Sequence, residues 1–596
     1  MSQHSLETLS SSSFDIVIAG GGLAGLTLAR QLRRAHPSLS VLIVDREKGP
    51  LPEATHKVGE SSVELGSRYL ETIGLRDYLV KNHIFKFGLR FFPGGGELPI
   101  HERMEIGPAQ EPIVPSYQLD RGRFENDLRR MIVEEDGAVF LEGVKVENIE
   151  LGTGGERHRA LLSSGEMERE IDARWFIDAT GRSAVLRRDL KLTRGSGHTA
   201  HSGWFRVKGR VDITAFSPND KRWTEAAWAE HRWRSTNHLM GNGYWVWIIP
   251  LSSGNTSIGA VVHEPPHSFD KVRTLERTRA FIQEHEPRLY EILEGYEVLD
   301  FRTVKSYANN IARGWSADRW ALVGEAGAFV DPLYSPGTDF IAFANSFTEE
   351  MIRADLAGED LEVRARELSM QYRSLVSGST DIYRRAAPVY GHPRAMHMKV
   401  YWDNFSYWSY PCQFYMQELY RLTGEKLTAV SLVGQRYVEL SNYVQKMLAA
   451  WASLKQERPK GSFGGMPHFP SVLIDAHMNL RNELSPDEAL EYMRSQLVLA
   501  EEIVSEIAIR VAFEVGDALL DAWIEQSELK TFNLRLSSAR IASEPLRGLA
   551  RRRALSEIER DLERTLGRGE SNSSEGAVRE RLAHLIVDDL GARVVQ

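Results

Sequence analysis

The residues Phe14-Asp15-Ile16-Val17-Ile18-Ala19 form a short apolar run, and Gly20-Gly21-Gly22-Leu23-Ala24-Gly25 follows it without a break. The run reads as a buried parallel strand and Leu26 to Arg34 as a helix. Gly20, Gly22 and Gly25 satisfy G-x-G-x-x-G in the strand–turn–helix setting that gives the motif its meaning. Glycines there let the backbone approach a pyrophosphate, which rests on the helix N-terminus. A second strand, Val41-Leu42-Ile43-Val44, ends at Asp45, where an acid accepts hydrogen bonds from a ribose hydroxyl. The chain therefore begins with a Rossmann-like dinucleotide unit. No second motif of this kind follows a strand, so no separate nicotinamide domain is expected.

At 596 residues the chain exceeds what one core can organise, and two or three structural units are expected. The net charge of −9 is spread without a basic stripe, which argues against nucleic acid as a partner. A single cysteine, Cys412, excludes an intramolecular disulfide and a cysteine-cluster metal site, and no metal is expected. That usage is compatible with a cytoplasmic home. Met1 to Ser13 lacks the build of a signal peptide, and no apolar run reaches the roughly 18–20 residues of a membrane span.

Further on, Trp245-Val246-Trp247-Ile248-Ile249-Pro250 reads as a strand with both indoles on one face, ended by proline. From Asn345 onward apolar residues recur at three- and four-residue spacing, predicting a mostly helical region. Val400 to Tyr420 is crowded with aromatics, and Pro411 should split a helix there. Such a helix suits either a core or a wall over an aromatic substrate. Gly461 to Pro467 reads as a loop, and 567–575 as a charged linker before a last helix.

Two later segments resemble motifs of the FAD-dependent monooxygenase superfamily: Trp175 to Gly181, ending in Ala-Thr-Gly, and Trp320 to Gly327. The second carries Gly324-Glu325 where the superfamily usually has Gly-Asp. Tyr117 to Phe124 resembles its Asp-Arg-x-x-Phe segment, which implies Arg123 near the flavin; the plainer reading is a helix start capped by Asp120. The combination resembles the flavin-dependent halogenases over roughly the first 355 residues, on three features. Lys57-Val58-Gly59-Glu60-Ser61-Ser62 is similar to their Val-Gly-Glu-Ser segment. Phe85 to Phe92 is similar to the strand that carries their lysine. Trp245 to Pro250 fits their W-x-W-x-I-P signature.

That resemblance implies FAD as cofactor, bound by Gly20, Gly22, Gly25, Asp45, Arg46, Glu60, Ser61, Arg123, Gly324, Glu325 and Gly337. The reduced form would come from a separate flavin reductase. It implies Lys86 as the lysine that guides hypohalous acid to the substrate, and Trp245 and Trp247 as the wall beside the flavin. In a continuous strand, Lys86 would share a face with Gly88, Arg90 and Phe92. Ser335, Gly337 and Thr338 would hold the halide, with Tyr334 in the active-site wall. Tyr334 replaces a glutamate of the tryptophan-acting branch and favours a phenol or pyrrole. Pro336 removes one of two backbone donors for the halide, a loss of about 1.5–3 kcal/mol, or about ten- to hundredfold in affinity. This keeps a hydroxylating FAD monooxygenase open as the alternative.

The expected fold class is α/β: a Rossmann-like FAD-binding domain (1–355) with an interleaved mixed β-sheet on the substrate side (about 84–118 and 200–310). A mostly α-helical C-terminal region (356–566) follows, then a linker and terminal helix (567–596). The expected partner is a small aromatic substrate, free or tethered to a carrier protein.

Overall fold

The computed structural model describes residues 5–53, 59–455, 470–534 and 556–566, with Val578 and Leu582. Lys57 and Val58, the Gly461 to Pro467 loop and nearly all of 567–596 lie outside the described residues. Strand Ser13–Ala19 is central in a seven-stranded sheet. It runs parallel to Val41–Asp45 on one side and to Met167–Asp178 on the other. Val139–Glu142 extends the sheet beyond the first neighbour, and Trp320–Leu322 pairs with the last residues of the second. His158–Ser164 and Lys145–Glu150 add an antiparallel edge. The parallel strands bring Ala19, Asp45, Asp178 and Leu322 to one end of the sheet, the end where open α/β sheets bind ligands.

A second, six-stranded mixed sheet stacks in the order Arg302–Val304, Ala200–Val207, Thr256–His263, Tyr244–Pro250, Thr236–Gly241 and Leu89–Phe92. The alternation read from the Trp segment is what divides the molecule. Trp245, Trp247 and Ile249 pack into the core shared with the nucleotide unit. Tyr244, Val246 and Ile248 pack into a separate core with Phe205, Trp223 and Phe281. This sheet thus has two buried faces, and its central strands are buried throughout.

The lysine segment departs from the expected strand. Ile84–Phe85 pairs with Tyr117–Gln118, the chain leaves the sheet at Lys86, and a new strand begins at Leu89. Gly88, at φ +80, makes the break. Face alternation is therefore interrupted, and Lys86 borders the same cavity as Leu89 and Phe91 rather than sharing a face with Arg90 and Phe92.

Beyond residue 355 the described chain is helical, with long helices Leu361–Arg384, Pro393–Ser409, Gly424–Leu454 and Pro486–Val515. Pro411 splits the aromatic helix as expected, opening the short helix Pro411–Met416. Among the described residues no helix is long and apolar enough to cross a membrane.

Trp247 lies across from Gly259, where an added Cβ would stand 2.1 Å from the indole. Gly259→Ala should therefore destabilise the protein by about 1–3 kcal/mol in denaturant unfolding. An unchanged midpoint would contradict this packing.

Candidate active site

The sheet end and the Trp face enclose a cavity of about 1090 Å³. Gly20 to Ala24 form its floor, at the N-terminus of helix Leu23–Ala35, where no side chain caps the free amides. Gly20 has φ +119, and a Cβ on it would meet the Ala179 carbonyl oxygen at 2.2 Å, so only glycine leaves this cradle open. Asp45 sits at the rim with Oδ2 2.7 Å from Arg129 Nη2. Arg46, Gly324 and Glu325 line the same space, and Gly25 lies in the first turn behind it.

Glu60 and Ser61 line the cavity, each engaged by the substrate-side sheet. Glu60 Oε1 receives two hydrogen bonds from Arg206, at 2.6 and 2.8 Å, and Arg206 reaches Asp300 at 2.6 Å. Burial pushes the Glu60 carboxyl above its ordinary range, and the Arg206 charge opposes that. The Ser61 hydroxyl is 2.9 Å from that of Thr236. Arg123, expected at the flavin, lies elsewhere: it points to Asn82 at 3.1 Å on an exposed face. Two residues earlier on helix Arg121–Glu134, Arg121 faces the cavity and is steadied by Glu125 at 2.5 Å. A spacing of two on a helix turns a side chain about 200°, to nearly the opposite face, so only one of the pair can face inward. Asp120 precedes the helix without capping it; its carboxylate accepts from the Ser253 amide at 3.2 Å.

On the opposite wall stand Trp245 and Trp247, ring centres 5.8 Å apart. The Trp247 N–H donates to Ser257 at 3.1 Å; the buried Trp245 N–H has no acceptor among the described residues. The row continues through His238 (5.4 Å from Trp245), Phe91 (4.8 Å from His238) and Tyr334 (5.8 Å from Phe91). Burial pulls His238 down to about 3, so it is a neutral ring in this wall.

Behind the aromatic row lies a second cavity of about 290 Å³. Lys86, Tyr334 and Phe91 border it, with Glu64, Asp339 and Tyr407. Pro336 and Phe340 border both cavities. Lys86 is fully buried, and its ammonium donates to the Ser62 carbonyl at 2.8 Å. Burial pulls it down to about 7, against the opposing fields of Glu64 and Asp339. The Tyr334 hydroxyl donates to Asp403 at 2.8 Å. Burial, and then the Asp403 charge, hold that phenol protonated.

The turn between the cavities is built by three residues. Ser335 takes φ +59, Pro336 becomes the N-cap, and helix Gly337–Ala357 starts at Gly337. Its first amides, Gly337 and Thr338, have no intrahelical acceptor, and both residues border the larger cavity. The donor missing at Pro336 therefore leaves an intact helix N-terminus behind it. Asp331, just upstream, fixes this loop. It accepts from the Leu333 amide at 3.1 Å and the Tyr307 hydroxyl at 2.6 Å, and lies 2.9 Å from His198 Nε2.

Comparison with known proteins points to a family. The tryptophan halogenase family profile matches residues 97–359, and an NAD(P)-binding Rossmann-like profile matches 18–86. The flavin-dependent halogenase chlA of Dictyostelium discoideum is 27% identical over 432 residues, 66% of this chain and 70% of its own. A 1H-pyrrole-2-carbonyl-[peptidyl-carrier protein] chlorinase of Pseudomonas fluorescens is 28% identical over 356 residues, 55% of this chain and 73% of its own. These likenesses support the flavin-dependent halogenase family for this chain. It is an FAD-dependent oxidoreductase. The fold agrees: halogenase PltM, solved with phloroglucinol and FAD, superposes with a TM-score of 0.57 at 16% identity, over 82% of this chain and 96% of its own. The glycine cradle, the free helix N-terminus and the unpartnered Trp245 N–H together fit FAD in the larger cavity.

Arg121→Ala should weaken FAD binding about ten- to hundredfold, as the loss of one charged contact predicts, while Arg123→Ala leaves it unchanged. Flavin fluorescence titration checks this; the reverse order would restore Arg123.

Proposed function

We propose that this enzyme halogenates an electron-rich aromatic ring held in the smaller cavity, with Lys86 guiding the halogen to it. The observation that carries this reading is the pair of cavities, which meet at Pro336 and Phe340: Trp247, Trp245 and His238 line the larger, and Phe91 and Tyr334 continue the row of rings into the smaller. FAD would be held by Gly20, Gly22, Asp45, Arg46, Arg121, Gly324 and Glu325, and when reduced it supplies the chemistry that turns oxygen and halide into hypohalous acid. The Trp wall keeps a substrate ring off that site, which disfavours direct hydroxylation. Hypohalous acid instead passes the Pro336 turn and meets Lys86. An amine poised near 7 can donate a hydrogen bond to that species or take its halogen. The amides of Gly337 and Thr338, at the positive end of a long helix, would hold the halide beside Ser335. Because two such amides remain, Pro336 does not favour the hydroxylase alternative.

Tyr334 stands where the tryptophan-acting branch has a glutamate, which supports a phenol or pyrrole substrate. The smaller cavity reaches the surface beside exposed Glu111 and Ile474. That opening suits a ring delivered on a carrier-protein arm, as the name of the pyrrole chlorinase describes for that relative. A separate flavin reductase would supply reduced FAD.

Incubation with reduced FAD, oxygen, bromide and an aromatic panel, read by mass spectrometry, should give products in which one hydrogen is replaced by bromine, and none without halide. Products one oxygen heavier and independent of halide would overturn the reading.

A further inference from the structure

Lys86 does not stand alone in the smaller cavity. Asp339, in the first turn of helix Gly337–Ala357, is buried and borders the same space. Its two oxygens are fixed from different elements: Oδ1 accepts from the Gly66 amide at 2.8 Å, and Oδ2 from the Tyr407 hydroxyl at 2.8 Å. Apart from those two donors, much of the surrounding lining is apolar, including Val63, Phe340, Phe343 and Trp408. A second acid, Glu64, is nearby but already taken by His477, 3.3 Å away.

Resting on the function proposed above, we infer that Asp339 is a catalytic residue, the base that accepts the hydroxyl proton of a phenolic substrate while Lys86 faces the halogen donor. It lies five residues beyond Tyr334 in the chain and borders the same cavity.

The environments of the two acids separate their roles. Burial pushes the Asp339 carboxyl up to about 7, only partly offset by the Tyr407 hydroxyl and the Gly66 amide. Glu64 is held below its usual range: burial opposes ionisation, but His477 overcomes it. Glu64 is thus a fixed charge, and Asp339 the group that exchanges a proton at neutral pH. Lys86 falls at the same place, so the two titrate as a pair. The other groups facing them stay put. Tyr407 and Cys412 are pushed well above their usual range by burial, His238 is pulled to about 3, and Tyr334 donates to Asp403, itself 2.8 Å from Lys399.

The step balances. The phenol O–H proton passes to Asp339, and the ring carbon forms its bond to halogen as the halogen–oxygen bond of hypohalous acid breaks. The released hydroxide takes a proton from the Lys86 ammonium and leaves as water. The ring C–H proton goes to the Lys86 amine, and Asp339 returns its proton to the phenolate oxygen. Both side chains end as they began.

The test uses the full chain with reduced FAD, oxygen and bromide, on resorcinol and on 1,3-dimethoxybenzene, which has no hydroxyl proton. A solution trap, monochlorodimedone, reports hypohalite separately. Asp339→Asn should lower resorcinol halogenation by about 10²-fold or more, leave dimethoxybenzene and the trap near wild type, and abolish the rise in rate with pH through about 7. Tyr407→Phe, which keeps the carboxylate but removes the donor that steadies its ionised form, should move that rise to higher pH. Equal resorcinol rates in wild type and Asp339→Asn, or an unmoved limb in Tyr407→Phe, would overturn the assignment. So would hypohalite production by a wild type that does not halogenate resorcinol. A wild type that produces no hypohalite at all contradicts the parent reading instead.

Discussion

The first turn of helix Gly337–Ala357 is the constraint on which the site depends. One short stretch must border the larger cavity, border the smaller one and start a buried helix. It does so because Ser335 accepts a left-handed backbone, at a cost of about 1–2 kcal/mol for a non-glycine residue, and because Pro336 cannot continue a ladder that has not begun. The free amides of Gly337 and Thr338 then face one cavity while Asp339 borders the other. The Asp331 carboxylate, hydrogen-bonded from both sides, holds the approach to this turn in place.

The second sheet complements that turn. A strand buried on both faces has no solvent side, so its two indoles can form a wall between compartments and still contribute to a core. The row of rings leading from Trp247 to Tyr334 spans from one cavity to the other. On the proposed function, it would keep the substrate ring away from the flavin without a moving part. The ion pair from Glu60 to Arg206 ties the nucleotide unit to this sheet, and removing one partner of such a buried pair costs about 3–5 kcal/mol.

Much of the fold was legible in the sequence because it rests on local periodicity. The glycine turn, the Asp45 strand end, the one-sided Trp strand and the split at Pro411 each follow from a few neighbouring residues. The site was less legible where one backbone angle or a long-range contact decides. Gly88 reads as an ordinary strand glycine, yet its positive φ changes which side of the sheet Lys86 serves. Arg121 holds the arginine position of the Asp-Arg-x-x-Phe segment and Arg123 its second variable position, so the motif already favours Arg121, and the helix phase agrees. Asp339 was in plain view beside Thr338, but an acid in a first helical turn reads as dipole compensation. Its partners Gly66 and Tyr407 are far away in the chain, and no local pattern joins them.

The central claim is that halide oxidation and ring halogenation occur in different cavities, joined through Lys86. Lys86→Met, supplied with reduced FAD, oxygen, bromide, an aromatic substrate and a hypohalite trap, tests it most directly. The account predicts that the trap is brominated at close to the wild-type rate while the ring product is lost. Loss of both activities together, or of neither, would contradict it.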